Sequence, residues 1–195
     1  VGYFTYKRTY ARPLPDGGTE EWWQTCRRVV EGTYSTQKLH CRRLGLPWDD
    51  QKAQSSAQEM FQRMWDFKWI PPGRGLWTMG TEVVQRKGSA CLQNCAFVST
   101  KDLPSDFAGP FCFLMDMSML GVGVGGDTKG AGSVMIQAPE KSAIPHVVED
   151  TREGWVALVR RVLESYAGAA SYPESIDYSQ VRGRGEPIRG FGGIA

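Results

Sequence analysis

Residues 91–132, CLQNCAFVSTKDLPSDFAGPFCFLMDMSMLGVGVGGDTKGAG, decide how the chain folds. CAFVS (95–99) reads as a short buried strand. PFCFLMDMSML (110–120) reads as a strongly apolar helix that Pro110 can begin. A glycine run, LGVGVGGDTKGAG, follows as a loop. The same alternation repeats downstream: a strand candidate SVMIQA (133–138), a helix over DTREGWVALVRRVLESYAG (150–168) and a final strand near IDYSQV (176–181). In that helix Asp150 serves as N-cap, with Glu153 three residues on completing a capping box, and Trp155, Val159, Val162 and Tyr166 share one face. Strands alternating with helices predict an α/β architecture with parallel pairing.

Upstream, the texture is helical. In EEWWQTCRRVVEG (20–32), Trp22, Cys26, Val29 and Val30 recur at helical spacing and Gly32 supplies a stop. A second helix is expected over QKAQSSAQEMFQRMWDF (51–67), with Ala53, Ala57, Met60, Phe61, Met64 and Trp65 as one core stripe that Pro71 and Pro72 bring to an end. PPGRGLWTMGT (71–81) reads as a loop. The expected organisation is a helical region over 1–75 and an α/β region over 76–195.

The 195 residues, 41% of them hydrophobic and 23% charged, carry a net charge of +2. Such a balance creates no strong field for nucleic acid or membrane, and the local arginine clusters read as solvated faces. No stretch of apolar residues is long enough to span a bilayer, and the first residues lack a signal-peptide layout, so an intracellular location is expected. Five cysteines without a secretory signal argue for reduced thiols over a disulfide framework. The lack of an initiator Met and the ending FGGIA suggest part of a longer protein.

Gly121, Gly123 and Gly126 offer a G-x-G-x-x-G spacing, but a helix precedes them instead of a strand, and no Gly-Lys-Ser/Thr ending is present. Neither a dinucleotide fingerprint nor a phosphate loop of the Walker kind is expected. Two readings remain open: a backbone that lets a phosphate or sugar approach closely, and a tight packing turn. Metal is not expected, because only the pairs His40/Cys41 and Cys91/Cys95 are available, at the wrong spacings. His40 and His146 stand alone. Cys95 reads either as a small buried hydrophobe or as an accessible thiol at a strand edge, able to exchange with another thiol.

Six stretches, WWQTCRRVVEGTYS, RGLWTMGT, LQNCAFVST, LGVGVG, DTREGWV and RGEPIRGFGGIA, lie in one order along almost the whole chain. Together they resemble the monomeric class II ribonucleotide reductases, the adenosylcobalamin-dependent ribonucleoside-triphosphate reductases. The resemblance implies a helical region followed by the first part of a ten-stranded α/β barrel of the ribonucleotide reductase and glycyl-radical type. In that family a thiyl radical removes the 3′ hydrogen of the ribonucleotide, the 2′ hydroxyl leaves as water, and a cysteine pair supplies two electrons. By resemblance, Cys95 is the first of that redox pair and its partner lies downstream. Asn94, Gly121 and Gly123 would contact substrate, and Asp102 and Asp116 would belong to the site of a deoxynucleotide allosteric effector. The implied partners are a ribonucleoside triphosphate and a thioredoxin-type reductant in the cytoplasm, with no nucleic acid or membrane. The thiyl cysteine and most of the cobalamin site are expected beyond these residues, so the 195 residues alone are expected to be inactive. The alternatives are a reductase of another class and a non-enzymatic nucleotide-binding domain.

Overall fold

The computed structural model describes residues 2–188 and residue 195; most of the stretch RGFGGIA lies outside the described residues. The chain divides into two compact units, Val1–Leu92 and Gln93–Ala195.

The first unit is helical: α1 (Gly2–Thr9), α2 (Trp22–Arg43), α3 (Asp50–Trp65), α4 (Gly73–Thr78), α5 (Glu82–Lys87) and a 3-10 turn (Gly88–Leu92). α2 packs on α3, and Cys26, Val29, Val30, Met64 and Leu76 form the buried core between helices, as the helical spacing requires. Trp65 is an exception to the expected stripe, since it is 44% exposed at the end of α3. A capping box at Glu21 and Gln24 starts α2, and Asp49 caps α3 by accepting from the Lys52 N–H.

Two expectations are corrected here. Gly32 does not stop α2, which continues to Arg43. A Cβ on Gly32 would lie 2.4 Å from the Cα of Gly80, so this glycine permits a close backbone approach inside a helix. PPGRGLWTMGT is not wholly a loop, because α4 forms within it, and Arg28 of α2 donates to the carbonyls of Leu76 (2.7 Å) and Met79 (2.5 Å) at its end. Arg28 in turn pairs with the buried carboxylate of Glu20 at 2.7 Å, which also accepts from the Thr25 hydroxyl and the Arg12 N–H. Burial alone would raise the Glu20 carboxyl, yet the hydrogen bonds from Arg28 and Thr25 outweigh it and hold the group below the usual carboxylate range.

The second unit contains β1 (Cys95–Val98), α6 (Gly109–Met119), β2 (Gly123–Gly126), β3 (His146–Val147), α7 (Arg152–Tyr166) and β4 (Ile176–Asp177). β1 pairs with β2 and β3 with β4, each pair parallel. A helix crosses between the strands of each pair, so the unit holds two β-α-β elements, the form that parallel pairing demands. α6 packs on α7 and on both strands of the first pair.

Several local expectations change in this unit. The glycine run is not a loop, because Gly123–Gly126 form a strand; with almost no side chains it shows no alternation to read. SVMIQA forms no strand, and Met135 is 82% exposed. β1 is not buried on both faces: Cys95 and Phe97 are exposed while Ala96 and Val98 are half-buried. Thr151, one residue later than expected, caps α7 by accepting from the Gly154 N–H at 2.9 Å. Asp150 instead receives a two-point ion pair from Arg182 Nε at 2.8 and 3.0 Å. The buried face of α7 is Gly154, Leu158 and Ser165, shifted from the expected stripe, and Trp155 stacks on Tyr178.

Candidate active site

Cys95 is the first residue of β1, a free and exposed thiol. Within these residues, then, Cys95 is not a small buried hydrophobe. Its neighbour across the ladder is Gly123, and the pairing continues as Ala96 with Val124, Phe97 with Gly125 and Val98 with Gly126. Paired residues in a parallel ladder share a face, so Cys95 and Phe97 lie on the same face as Gly123 and Gly125. That face carries no side chain from β2. The Gly123 N–H donates to the Asn94 carbonyl at 2.9 Å, which fixes the backbone just before the cysteine. Asn94, Cys95 and Gly123, separated by nearly thirty positions, are therefore adjacent. Gly121 ends the turn after α6 with φ +75°, a left-handed conformation suited to glycine.

Just past the last ladder pair, one carboxylate joins the two strands. Asp127 accepts from the Ser99 hydroxyl (2.8 Å), the Thr100 N–H (2.9 Å) and the Thr100 hydroxyl (2.9 Å), and more weakly from the Lys129 N–H (3.2 Å). The Thr100 N–H, followed by the hydroxyls, favours the ionised form and holds the Asp127 carboxyl far below the usual range. Thr100 Oγ1 also accepts from the Gly130 N–H at 3.0 Å. Sequence reasoning missed Ser99, Thr100 and Asp127. The available signal was an aspartate directly after a glycine strand, with two hydroxyl residues at the end of the partner strand.

Three of the other four cysteines differ in kind, and Cys41 is half-buried. Cys26, Cys91 and Cys112 are buried. Burial pushes the Cys26 thiol up to about 12, and it also raises Cys91 and Cys112, so these thiols are poor nucleophiles at neutral pH.

Asp102 and Asp116 come together. Both line a cavity of about 340 Å³ between α6 and α7, with Asp106, Cys112, Phe113 and Arg160. Arg160 bonds Asp106 at 3.0 Å and Glu164 at 2.9 Å, and its hydrogen bond holds the Asp106 carboxyl below the usual range. Asp116 pairs with Arg152 at 2.7 Å. Among the described residues no group of three or more His, Cys, Asp and Glu side chains is arranged to hold a metal ion. None of the described helices is long and apolar enough to cross a membrane.

Residues 1–81 match the ribonucleotide reductase alpha domain family. The chain is a ribonucleotide reductase homologue. More particularly, it matches the N-terminal part of the class II, adenosylcobalamin-dependent branch. It is 45% identical to the probable adenosylcobalamin-dependent ribonucleoside-triphosphate reductase of Dictyostelium discoideum, covering all of this chain and 28% of that one. Identity is 44% to the Euglena gracilis adenosylcobalamin-dependent ribonucleoside-triphosphate reductase, again over all of this chain and 27% of the relative. A crystal structure of a B-12 dependent class II ribonucleotide reductase superposes with a TM-score of 0.78 at 30% identity, over 99% of this chain and 34% of that one. The 195 residues thus span about a quarter to a third of the length of these relatives.

Proposed function

We propose that the full-length protein reduces ribonucleoside triphosphates to 2′-deoxyribonucleoside triphosphates, and that this chain contributes the first redox cysteine and part of the substrate site. In the net reaction the ribose 2′ hydroxyl leaves as water, and the two electrons come from a pair of thiols that ends as a disulfide. Cys95 is one of the pair. The observation that carries this reading is the exposed Cys95 sulfur on the bare face of the β1–β2 ladder, in register with Gly123. With no side chain at Gly123 or Gly125, a sugar can approach the thiol against backbone alone. Asn94 and the backbone of Gly121 and Gly123 hold the nucleotide. Asp102 and Asp116, on the cavity between α6 and α7, belong to the region that receives a deoxynucleotide effector. In the whole protein residues 1–75 belong to the helical region, and 76–195, which begin with the end of α4, α5 and the 3-10 turn before β1, open a ten-stranded α/β barrel.

The named relatives depend on adenosylcobalamin, which in that family supplies the radical. The cavity between α6 and α7, at about 340 Å³, does not fit a corrin, being too small to enclose the macrocycle. In this reading most of the cofactor's site lies outside these residues, and the part played here is confined to thiol chemistry and substrate positioning. The external reductant is a thioredoxin-type dithiol, and the reaction takes place in the cytoplasm.

The test is Cys95→Ser in the full-length protein, with ribonucleoside triphosphate, adenosylcobalamin and thioredoxin. Multiple-turnover reduction is expected to vanish while nucleotide binding persists. Unchanged turnover would exclude Cys95 from the redox pair.

A further inference from the structure

The strand opposite Cys95 is an unusual one to rely on for position. Three of its four residues, Gly123, Gly125 and Gly126, have no side chain, so cross-strand side-chain pairs cannot set its alignment. Glycine-rich strands specify register weakly. The sequence adds a second ambiguity, because Gly121-Val122-Gly123-Val124-Gly125 repeats every two residues. A two-residue slip would keep glycine opposite Cys95 and valine on the helix-covered face, yet it would move the backbone beside the thiol by about 6–7 Å. Something outside the ladder must choose between these alignments.

The first residue that breaks the repeat in a way the partner strand can read is Asp127. Its carboxylate takes three hydrogen bonds of 2.8–2.9 Å from Ser99 and Thr100, immediately beyond Val98 of β1. Lys129 N–H and Gly130 N–H tie the following turn to the same Asp127–Thr100 pair. The turn is also seated sterically: a Cβ on Gly130 would lie 2.0 Å from the Thr100 carbonyl oxygen and 2.7 Å from Cδ1 of the buried Leu103. A slipped strand would lose every one of these bonds together.

We propose that Asp127 is a positioning residue that pins the β1–β2 register, keeping the Gly123 backbone opposite the Cys95 thiol. Its bonds go to Ser99, Thr100 and Lys129, not to the thiol, and it acts through the alignment of β2. This inference rests on the reductase reading for its effect on turnover, but not for its effect on register.

The experiment uses the full-length protein as Asp127→Ala and Asp127→Asn. Hydrogen exchange is followed by mass spectrometry on peptides covering 121–126, and ribonucleotide reduction is followed with a small dithiol. Alanine is expected to speed exchange of the β2 amides about tenfold or more, since charge-assisted bonds are lost together. Turnover per folded molecule should fall by a similar factor. Asparagine keeps an acceptor for Thr100 and a polar contact for Ser99, and it is expected to restore most of both. Should alanine prevent folding, Thr100→Val removes one arm of the clamp and is expected to give a smaller change in the same direction. Wild-type exchange rates in Asp127→Ala, or faster exchange with unaltered turnover per folded molecule, would overturn the proposal. If the wild-type protein reduces no ribonucleotide at all, the reductase reading fails, and the exchange measurement still decides the pin on its own.

Discussion

Glycines at two places in the chain answer opposite needs. In the helical unit, Gly32 and Gly80 lack side chains because there is no room: a Cβ on Gly32 would lie 2.4 Å from Gly80, and one on Gly80 would lie 2.3 Å from the Arg28 carbonyl oxygen. At Gly123 and Gly125 of the β1–β2 ladder the space is open. A Cβ on Gly123 would meet only the Asn94 carbonyl oxygen at 3.6 Å, and one on Gly125 only the edge of Phe97 at 4.0 Å. Packing explains the first pair and does not explain the second. Within these residues, which span about a quarter to a third of the relatives' length, nothing crowds these glycines or covers the thiol beside them. Of the two readings that the sequence left open for the glycine run, a tight packing turn does not hold for Gly123–Gly126, which form a strand, and close approach of a ligand is the one proposed above.

The sharpest way to break that contrast is to fill one glycine of each kind. Gly123→Val in the full-length protein is expected to fold with a melting temperature close to wild type, because β-branched residues suit strands and the site is open. Its reductase kcat/KM should nevertheless fall about a hundredfold, the scale of a small misplacement at a reacting centre. A large loss of melting temperature in Gly123→Val would show that packing, not approach, requires the glycine.

Next in size is the polar clamp of the helical unit. Glu20 and Arg28 are both largely buried, so Glu20→Gln leaves a guanidinium without its counter-charge and is expected to cost about 3 kcal/mol of stability. Chemical denaturation measures this directly. The same pair sets a pH dependence. Because the folded Glu20 carboxyl titrates below its unfolded range, its contribution is complete above that range and is lost as acid protonates the folded group. Wild type should therefore lose more stability than Glu20→Gln as pH falls below about 4.

Gly32→Ala gives a smaller effect with an instructive sign. In an ordinary helix interior alanine stabilises by up to about 1 kcal/mol over glycine. Here it should destabilise by about 1–3 kcal/mol, because the added methyl collides with Gly80, while turnover of the folded protein stays at wild-type level. A stabilised Gly32→Ala would contradict the close helix approach. The smallest perturbation is chemical. Under native conditions a thiol reagent is expected to modify Cys95 while sparing Cys26, Cys91 and Cys112, which peptide mapping would read.

What the sequence made legible follows from where the information is carried. Helical spacing located α2, α3 and α7, because side chains repeat on one face, and an apolar run opened by the proline before Phe111 located α6. The alternation after residue 90 anticipated parallel pairing with helical crossovers, but not β2 or β3, the strands that complete the two pairs. Residues whose role is in the backbone were misread. Gly32 looks like a stop until Gly80, distant in sequence, is placed against it. β2 looks like a loop because three of its four residues have nothing to alternate. SVMIQA has the composition of a strand, but none of the described strands pairs with it. The thiol itself was visible in the motif around Cys95, whereas Asp127, which holds the opposite strand in place, became visible only once Ser99 and Thr100 were seen beside it.

The central claim concerns one sulfur, and a single turnover addresses it most directly. The pre-reduced full-length protein, given ribonucleoside triphosphate and adenosylcobalamin without any external reductant, is quenched with an alkylating reagent and mapped by mass spectrometry. Cys95 is expected in a disulfide with a cysteine downstream of residue 195, in proportion to the deoxynucleotide formed. Deoxynucleotide formed while Cys95 is recovered as the alkylated free thiol would contradict the account.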